Sequence, residues 1–425
     1  MNILIGISSA GKTLFAEKML ENKSIVNFHE IKPWTNIKNK VVHINILKLN
    51  QLNFKEKIIL KKIFSNLNQS STCNVVASEK NEILKRIRNR KIEDSNHVTK
   101  YDKDYWFSQV SNTNLPKLYE RAILFFDIKN PNLSIWWNDH KGFTRVKRYS
   151  LKYLFDGASI DSHIYHEPNK ELLNQIKYQD LNFGENTSRI GRKRNESIMS
   201  CLHSIEYGDS ALDVGSAMGA TIFSIDSVTN GKVTGFEPMR DRYNASKNFC
   251  SYLSSDVRII NDYVNDETLD ETYDHIVCLN VMHHVQDFVS FLKKLCNSAN
   301  KSLIIELPDI QDKVFSDNLG KYYFFSNRKI PLIGVGNKES DQTFVYNPSA
   351  IIRLIKMLSK KKFLYHLYDS PLDSRYIIKI DFTLNSTTGH DPLLDLVRNK
   401  KIKIKNFKLL RFIYFKIQPY LRKSK

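Results

Sequence analysis

Short apolar runs of strand length recur along most of this 425-residue chain, separated by polar stretches with helical spacing. In the first part they are Asn2-Ile3-Leu4-Ile5, Val41 to Ile46, Val75-Val76-Ala77 and Ser134-Ile135-Trp136-Trp137. In the second they are Ala211 to Val214, Val233 to Phe236, Ile259-Ile260, Asp274 to Leu279 and Ser302 to Leu307. Such runs are apolar on successive residues and bounded by turn formers, so they read as strands buried on both faces. With helices between them they predict βαβ units and parallel sheets. Leu115 to Phe126 reads two ways, as a helix with Asp127 at its end or as an apolar strand closed by that acid.

A single core stops growing near about 250–300 residues, so two domains are expected. The fold class is therefore α/β with two domains. An N-terminal parallel-sheet domain spans 1–156, a linker 157–169, a second α/β domain 170–385 and a basic tail 386–425. Gly157 to Pro168 is polar and aperiodic, and its lone histidines, His163 and His166, are expected in solvent. The paired tryptophans are expected in the core or an interface. No internal repeat is evident.

Composition narrows the class. Hydrophobic residues make up 41% and aromatics 11%, enough for globular packing and against disorder. Net charge is +19, which invites an anionic partner such as nucleic acid, a phosphorylated sugar or a membrane surface. Scattered lysines on solvated faces of a Lys-, Asn- and Ile-rich chain would give the same figure. The tail from Lys400 to Lys425 mixes Lys and Arg with Leu, Ile, Phe and Tyr. It can lie on an anionic membrane surface, bind RNA, or pack as a helix with a wet basic face. The five cysteines stand singly, with no C-x-x-C, which argues against a zinc site or disulfide framework. With no signal-peptide pattern and no run near the ~20 apolar residues of a membrane span, the expected location is cytoplasmic, at most peripheral to a membrane.

Two motifs carry chemistry. The first is Gly6-Ile7-Ser8-Ser9-Ala10-Gly11-Lys12-Thr13, between an apolar strand and the helical stretch Leu14 to Leu20. Small residues let backbone N–H groups curl around phosphate oxygens, and the helix N-terminus adds its positive dipole end. This segment resembles the P-loop NTPases, small-molecule kinases more than motors or switch GTPases. The resemblance implies ATP with Mg²⁺, bound by Gly6, Gly11 and Lys12, with the Thr13 hydroxyl on the metal. Arg86, Arg88 and Arg90 resemble a kinase lid, Arg88 foremost, and also fit a solvated helix face. Asn45 stands where that family carries a metal-binding acid, and Asp127 is the alternative.

The second motif is Asp213-Val214-Gly215-Ser216-Ala217-Met218-Gly219, followed by Glu237 after the next strand, Asp262 after a third, and Asn280-Val281-Met282-His283-His284 after a fourth. It resembles the class I S-adenosylmethionine-dependent methyltransferases over roughly the C-terminal half, and implies a Rossmann-like sheet. A dinucleotide site shares the strand, glycine loop and later acid, but here the acid precedes the loop and the spacing is G-x-x-x-G. The resemblance implies that Asp213 orders the loop, that Gly215, Ala217 and Gly219 admit the cofactor, and that Glu237 grips the ribose. Met239 flanks adenine, Asp262 meets its amino group, and Asn280 lies by the sulfonium. His283 or His284 is the candidate catalytic base. The lead-in Tyr178 to Gly184 and the cluster Arg189, Arg192, Lys193, Arg194 are candidates for capping the cofactor and meeting an anionic acceptor.

Together these features predict a bifunctional enzyme that methylates, and as a second activity phosphorylates, a small-molecule, sugar or glycan acceptor. Two rivals stand beside it. One is a methyltransferase with a non-catalytic nucleotide module; the other is an RNA methyltransferase held by its basic tail.

Overall fold

The computed structural model describes residues 2–7, 10–20, 25–32, 35, 40–50, 52–67, 71–89, 103–127, 132–176, 179, 181, 183, 195–265, 267–308, 331–335, 344–372 and 375–383. Strands β1 (Asn2–Gly6), β2 (Ile25–Asn27), β3 (Val41–Asn45), β4 (Thr72–Ser78), β5 (Leu133–Asp139) and β6 (Gly142–Val146) form one sheet in the order β2-β3-β1-β4-β5-β6. All its pairings are parallel except the β5–β6 hairpin. Ile3, Leu4 and Ile5 are fully buried, as a central strand covered on both faces requires.

A second sheet holds β7 (Ala211–Val214), β8 (Val233–Phe236), β9 (Arg258–Ile260), β10 (Tyr273–Leu279) and β11 (Ala299–Pro308), all parallel. A short antiparallel pair, β12 (Ile333–Val335) and β13 (Phe344–Tyr346), stands apart from it. Strands β14 (Leu364–Asp369) and β15 (Arg375–Asp381) complete the second sheet, in the order β14-β15-β11-β10-β7-β8-β9. β15 runs antiparallel to both neighbours. From β7 the chain builds outward to one side, then returns through β10 to the other. That reversal opens a crevice at the carboxyl ends of β7 and β10.

The ambiguous stretch is a helix, Leu115–Asp127. Asn114 caps it, its Oδ1 accepting the Lys117 N–H at 3.0 Å, and Pro116 fits the first turn, where no intrahelical N–H is needed. Asp127 therefore ends a helix rather than a strand, at the sheet edge opposite the Gly6 loop. There it lies 3.7 Å from Arg148, which also pairs twice with Glu120 at 2.5 and 2.8 Å. This placement removes Asp127 as a metal-binding acid for the N-terminal motif.

The two sheets share one core. The Leu115–Asp127 helix packs on the Asn195–Leu202 helix, and the Tyr149 ring meets Phe223 at 5.8 Å. Lys152 Nζ pairs with Asp226 Oδ1 at 2.6 Å, both buried, while Tyr153 and Ser255 donate to Asp226 Oδ2 at 2.7 and 3.2 Å. Residues 157–169 are pinned into this junction. The Lys147 N–H donates to the His163 carbonyl, Tyr165 N–H to Arg145, and Tyr252 hydroxyl to His166. His163, expected in solvent, is 3% exposed and stacks on Tyr153. Of the tryptophans, Trp137 is buried, and Trp136 donates its Nε1–H to Asn74 at 3.0 Å.

At the strand-entry edge of the second sheet, Asp209 accepts from Lys301 at 2.5 Å and from the Glu206 N–H at 2.9 Å, and pairs with His275 at 2.7 Å. Burial pushes its carboxyl up, but the His275, Lys301 and backbone bonds win and hold it well below the usual carboxylate range.

Two outcomes follow from these buried pairs. Asp226→Ala strands Lys152 without its carboxylate, so the urea midpoint falls by the equivalent of about 3–5 kcal/mol. Asp209→Asn costs about 2–3 kcal/mol at neutral pH. A depressed carboxyl stabilises above its unfolded value, about 3.9, and that contribution fades as pH falls through the folded value. The gap between wild type and Asp209→Asn in urea unfolding therefore narrows between pH 5 and pH 2.

Candidate cofactor site

The turn from Gly215 to Gly219 joins β7 to the Ala220–Asp226 helix at the crevice. Three of its residues are left-handed: Gly215 at φ 73°, Ala217 at φ 50° and Gly219 at φ 97°. A Cβ on Gly219 would sit 2.5 Å from the buried Phe223 ring and 2.9 Å from Ser246 Oγ. Ala217, the departure from the glycine pattern, thus occupies a position where glycine would be unstrained. Its N–H donates to Glu237 Oε2 at 2.8 Å, which fixes that strained residue in place.

Glu237 is the clasp of this turn. Its other oxygen accepts from the Met239 N–H at 2.9 Å, and the carboxyl is 2% exposed. Burial pushes it above the usual carboxylate range, against the pull of the two backbone bonds. The Gly215 and Ser216 N–H groups both donate to the Phe236 carbonyl, at 2.8 and 2.9 Å, tying the turn to the end of β8. From the lead-in, Gln179 Oε1 accepts from the Met218 and Ala220 N–H groups at 3.2 and 3.0 Å.

Asp213, 2% exposed, lies in β7 beneath the turn, in register with Val277 of β10. At the end of β10 Asn280 is left-handed at φ 61°, and Val281 fills the space beside Gly215. His283 is 4% exposed and His284 lies at the surface, their rings 4.0 Å apart. Met239 is half exposed before the Arg240–Leu253 helix. Asp262 is exposed, and its Oδ1 accepts the Tyr263 N–H at 2.7 Å. Its neighbour Asn261 instead reaches the Glu237 and Pro238 carbonyls, at 2.8 and 3.1 Å.

Gly215, Ala217, Gly219, Glu237 and Asn280 are therefore drawn together at one strand edge. Motif reading included Gln179 only as part of the lead-in expected to cap the cofactor, and gave Glu306 no role. Gln179 lies in the lead-in, and Glu306 is an acid inside the apolar run of β11. Tyr178, the Arg189–Arg194 cluster and the tail 386–425 lie outside the described residues.

The N-terminal motif occupies the matching crevice of the first sheet. A Cβ on Gly6 would meet the Val76 carbonyl at 2.4 Å; one on Gly11, left-handed at φ 97°, would meet Asn138 at 2.3 Å. Asn138 donates to the Ala10 carbonyl at 2.9 Å, and the Tyr119 hydroxyl accepts the Ile7 N–H at 3.3 Å. Lys12 Nζ donates to the carbonyls of Gly6 and Ile7, at 3.0 and 2.7 Å. Thr13 is exposed in the first helical turn, and Ser8 and Ser9 lie outside the described residues. Burial and then the Lys12 charge push His43 down to about 4. Asn45 is in register with Gly6, its Oδ1 accepting the Leu47 N–H at 3.2 Å, so an amide stands at that strand end. Glu79 follows β4 at the same edge and is exposed.

Arg88 packs on Phe107 rather than against the Gly6–Thr13 loop. Its guanidinium lies 4.1 Å over the Phe107 ring, at the far end of a helix that carries it roughly 12 Å from β4. Arg86 pairs with Glu82 at 2.9 Å, and Arg90 lies outside the described residues. Among the described residues no cluster of three metal-ligating side chains occurs, and no helix is long and apolar enough to cross a membrane.

The two crevices open toward opposite ends of the junction. Tyr119 ties the start of the Leu115–Asp127 helix to the Gly6 loop. That same start touches the second sheet at its opposite, strand-entry edge, through Asn114 to the Val228 carbonyl and Lys117 to Glu206.

Residues 212–301 match the family model described as a methyltransferase domain. No curated protein matches the chain. Among solved structures it is similar to magnesium protoporphyrin IX methyltransferase from Synechocystis PCC 6803 with bound SAH, at 12% identity over 41% of this chain and 74% of that one, TM-score 0.32. It is also similar to a S-adenosylmethionine-dependent methyltransferase from Clostridium acetobutylicum, at 9% identity over 44% and 89%, TM-score 0.33. A third is the N-methyltransferase NodS from Bradyrhizobium japonicum, at 12% identity over 45% and 86%, TM-score 0.32. The residues that match the methyltransferase domain run from β7 to the start of β11 in the second sheet.

Gly219→Ala tests the geometry of the turn directly. It forces both the left-handed strain and the contact with Phe223, so urea unfolding shows a loss of about 2–3 kcal/mol.

Proposed function

We propose that the chain is a S-adenosylmethionine-dependent methyltransferase acting on a small-molecule, sugar or glycan acceptor. The observation that carries this reading is the glycine turn held open by Glu237 at the β7–β10 crevice, within the matched residues. The donor set fits the cofactor. Ser216 Oγ and Asn280 Oδ1 are buried there without hydrogen-bond partners, and the left-handed turn leaves room where side chains would intrude.

The cofactor supplies an electrophilic methyl group. Glu237 would take the ribose hydroxyls with lone pairs its two backbone bonds leave over, and Met239 would lie along the adenine. Asp213 and Asn280 would face the methionine end. Methyl transfer rewards alignment of the reacting atoms, so the rigidity of this loop is its main contribution. His284, exposed on the turn after β10, is the group we assign to take the acceptor's proton, with the buried His283 packing behind it.

For the N-terminal domain the geometry favours a nucleotide-binding module over a kinase. Asn45 stands at the strand end where a carboxylate would hold Mg²⁺. Gly6, Gly11 and Lys12 would cradle the phosphates of ATP, with Thr13 on the metal. Titration calorimetry of the whole chain tests both halves. S-Adenosylmethionine binds at micromolar concentration, and ATP with Mg²⁺ binds without hydrolysis. Lys12→Ala abolishes the second and leaves the first within about twofold. A wild-type chain that turns over ATP restores the kinase, and one that ignores the methyl donor removes the central reading.

A further inference from the structure

Asn280 is held from three directions, and all but one of them come from a single residue. Its backbone is left-handed at φ 61°, a conformation asparagine tolerates better than most side chains. Its N–H donates to the Glu306 carbonyl at 3.0 Å, and its Nδ2 donates to Glu306 Oε2. Glu306 is fully buried in β11, and its other oxygen accepts from Ser197 at 2.9 Å and Ser370 at 2.5 Å. Both serine hydroxyls take one carboxyl oxygen of Glu306, and the asparagine presents its NH₂ group to the other. The amide orientation, free to flip in most settings, is thereby fixed.

The consequence falls on the other end of the amide. Oδ1 faces away from Glu306, buried and without a hydrogen-bond partner. Val281 packs against Gly215, so Asn280 stands where the β10 loop meets the glycine turn. Asp213, buried on the adjacent strand, stands in register with Val277, three residues before Asn280. A buried acceptor left without a partner gains most from a charged donor such as an ammonium group, whose hydrogen bonds are the stronger ones.

We propose that Glu306 is a positioning residue, locking the Asn280 amide so that Oδ1 receives the ammonium group at the methionine end of the methyl donor. This rests on the methyltransferase reading above and names how that site selects its cofactor. Glutamine's amide can pair with Asn280 either way round, so Glu306→Gln releases the orientation while nearly preserving shape. Asn280→Gly removes the acceptor while keeping the left-handed backbone unstrained.

Calorimetry with the full-length chain compares S-adenosylmethionine, S-adenosylhomocysteine and 5′-methylthioadenosine, the last lacking the amino-acid end. Asn280→Gly weakens the first two by about tenfold or more, and Glu306→Gln by about three- to tenfold, while 5′-methylthioadenosine stays within about twofold in both. Glu306→Gln adds nothing further in the Asn280→Gly background. Parallel loss of all three ligands, or no loss at all, overturns the proposal. If Glu306→Gln fails to fold, the selective loss must still appear in Asn280→Gly, and its absence there overturns it. A wild type that binds none of the three overturns the cofactor reading itself, an outcome distinct from unselective loss in the variants.

Discussion

Parallel strands cannot be joined by tight turns, and that constraint shapes both halves of this chain. Each return passes through a crossover, and where crossovers change direction the loops at neighbouring strand ends part. In the first sheet this happens at β1 and β4, in the second at β7 and β10. Each time the strand at the division is the one that opens its sheet, and each ends in a glycine-bearing turn into a helix. Backbone N–H groups there lack strand partners, so the turn must bind something or be held by side chains. In the second sheet Glu237 and Gln179 do the holding. In the first, Asn138 and Tyr119 do.

Much of this was legible because it is local. A glycine that needs a left-handed φ, an acid at a strand end and an apolar run of strand length are all properties of a few consecutive residues. The strands at Ala211, Val233 and Ser302 and the turn at Gly215 needed no long-range information. What escaped was pairing across the sequence. Glu306 lies 26 residues from Asn280 and 109 from Ser197, and nothing local marks it as their partner. Asp127 escaped for a different reason. An apolar run closed by an acid fits a strand or a buried helix equally, and only the Asn114 cap and Pro116 decide it. The junction was hidden too, because polarity at 157–169 reads as solvent exposure, whereas those polar groups bond to β6 and to Tyr252.

The shared core changes how the halves relate. Two domains on a loose tether sample many orientations, and either crevice can approach the other. Here the Lys152–Asp226 pair, the buried Leu115–Asp127 helix and the pinned connector fix one arrangement. Because that helix ties the first crevice to the entry edge of the second sheet, the two sites are back to back. Communication between them would have to pass through packing, along that helix or through Tyr149 and Phe223, which lies next to the glycine turn.

Strain and charge are placed together in the second crevice. Of the positive-φ residues other than glycine, two stand at this crevice, Ala217 and Asn280. Each is gripped by a glutamate that is buried almost completely, Ala217 by Glu237 and Asn280 by Glu306. A left-handed alanine costs roughly 1–2 kcal/mol, and burying a carboxyl is costly as well, so neither is retained for stability alone. Paired, they offset one another, because the carboxyl gains donors and the strained backbone gains an anchor. The result is a pocket whose two loops are fixed before any ligand arrives. Methyl transfer depends on alignment more than on acid–base assistance, and that is the property such a pocket supplies.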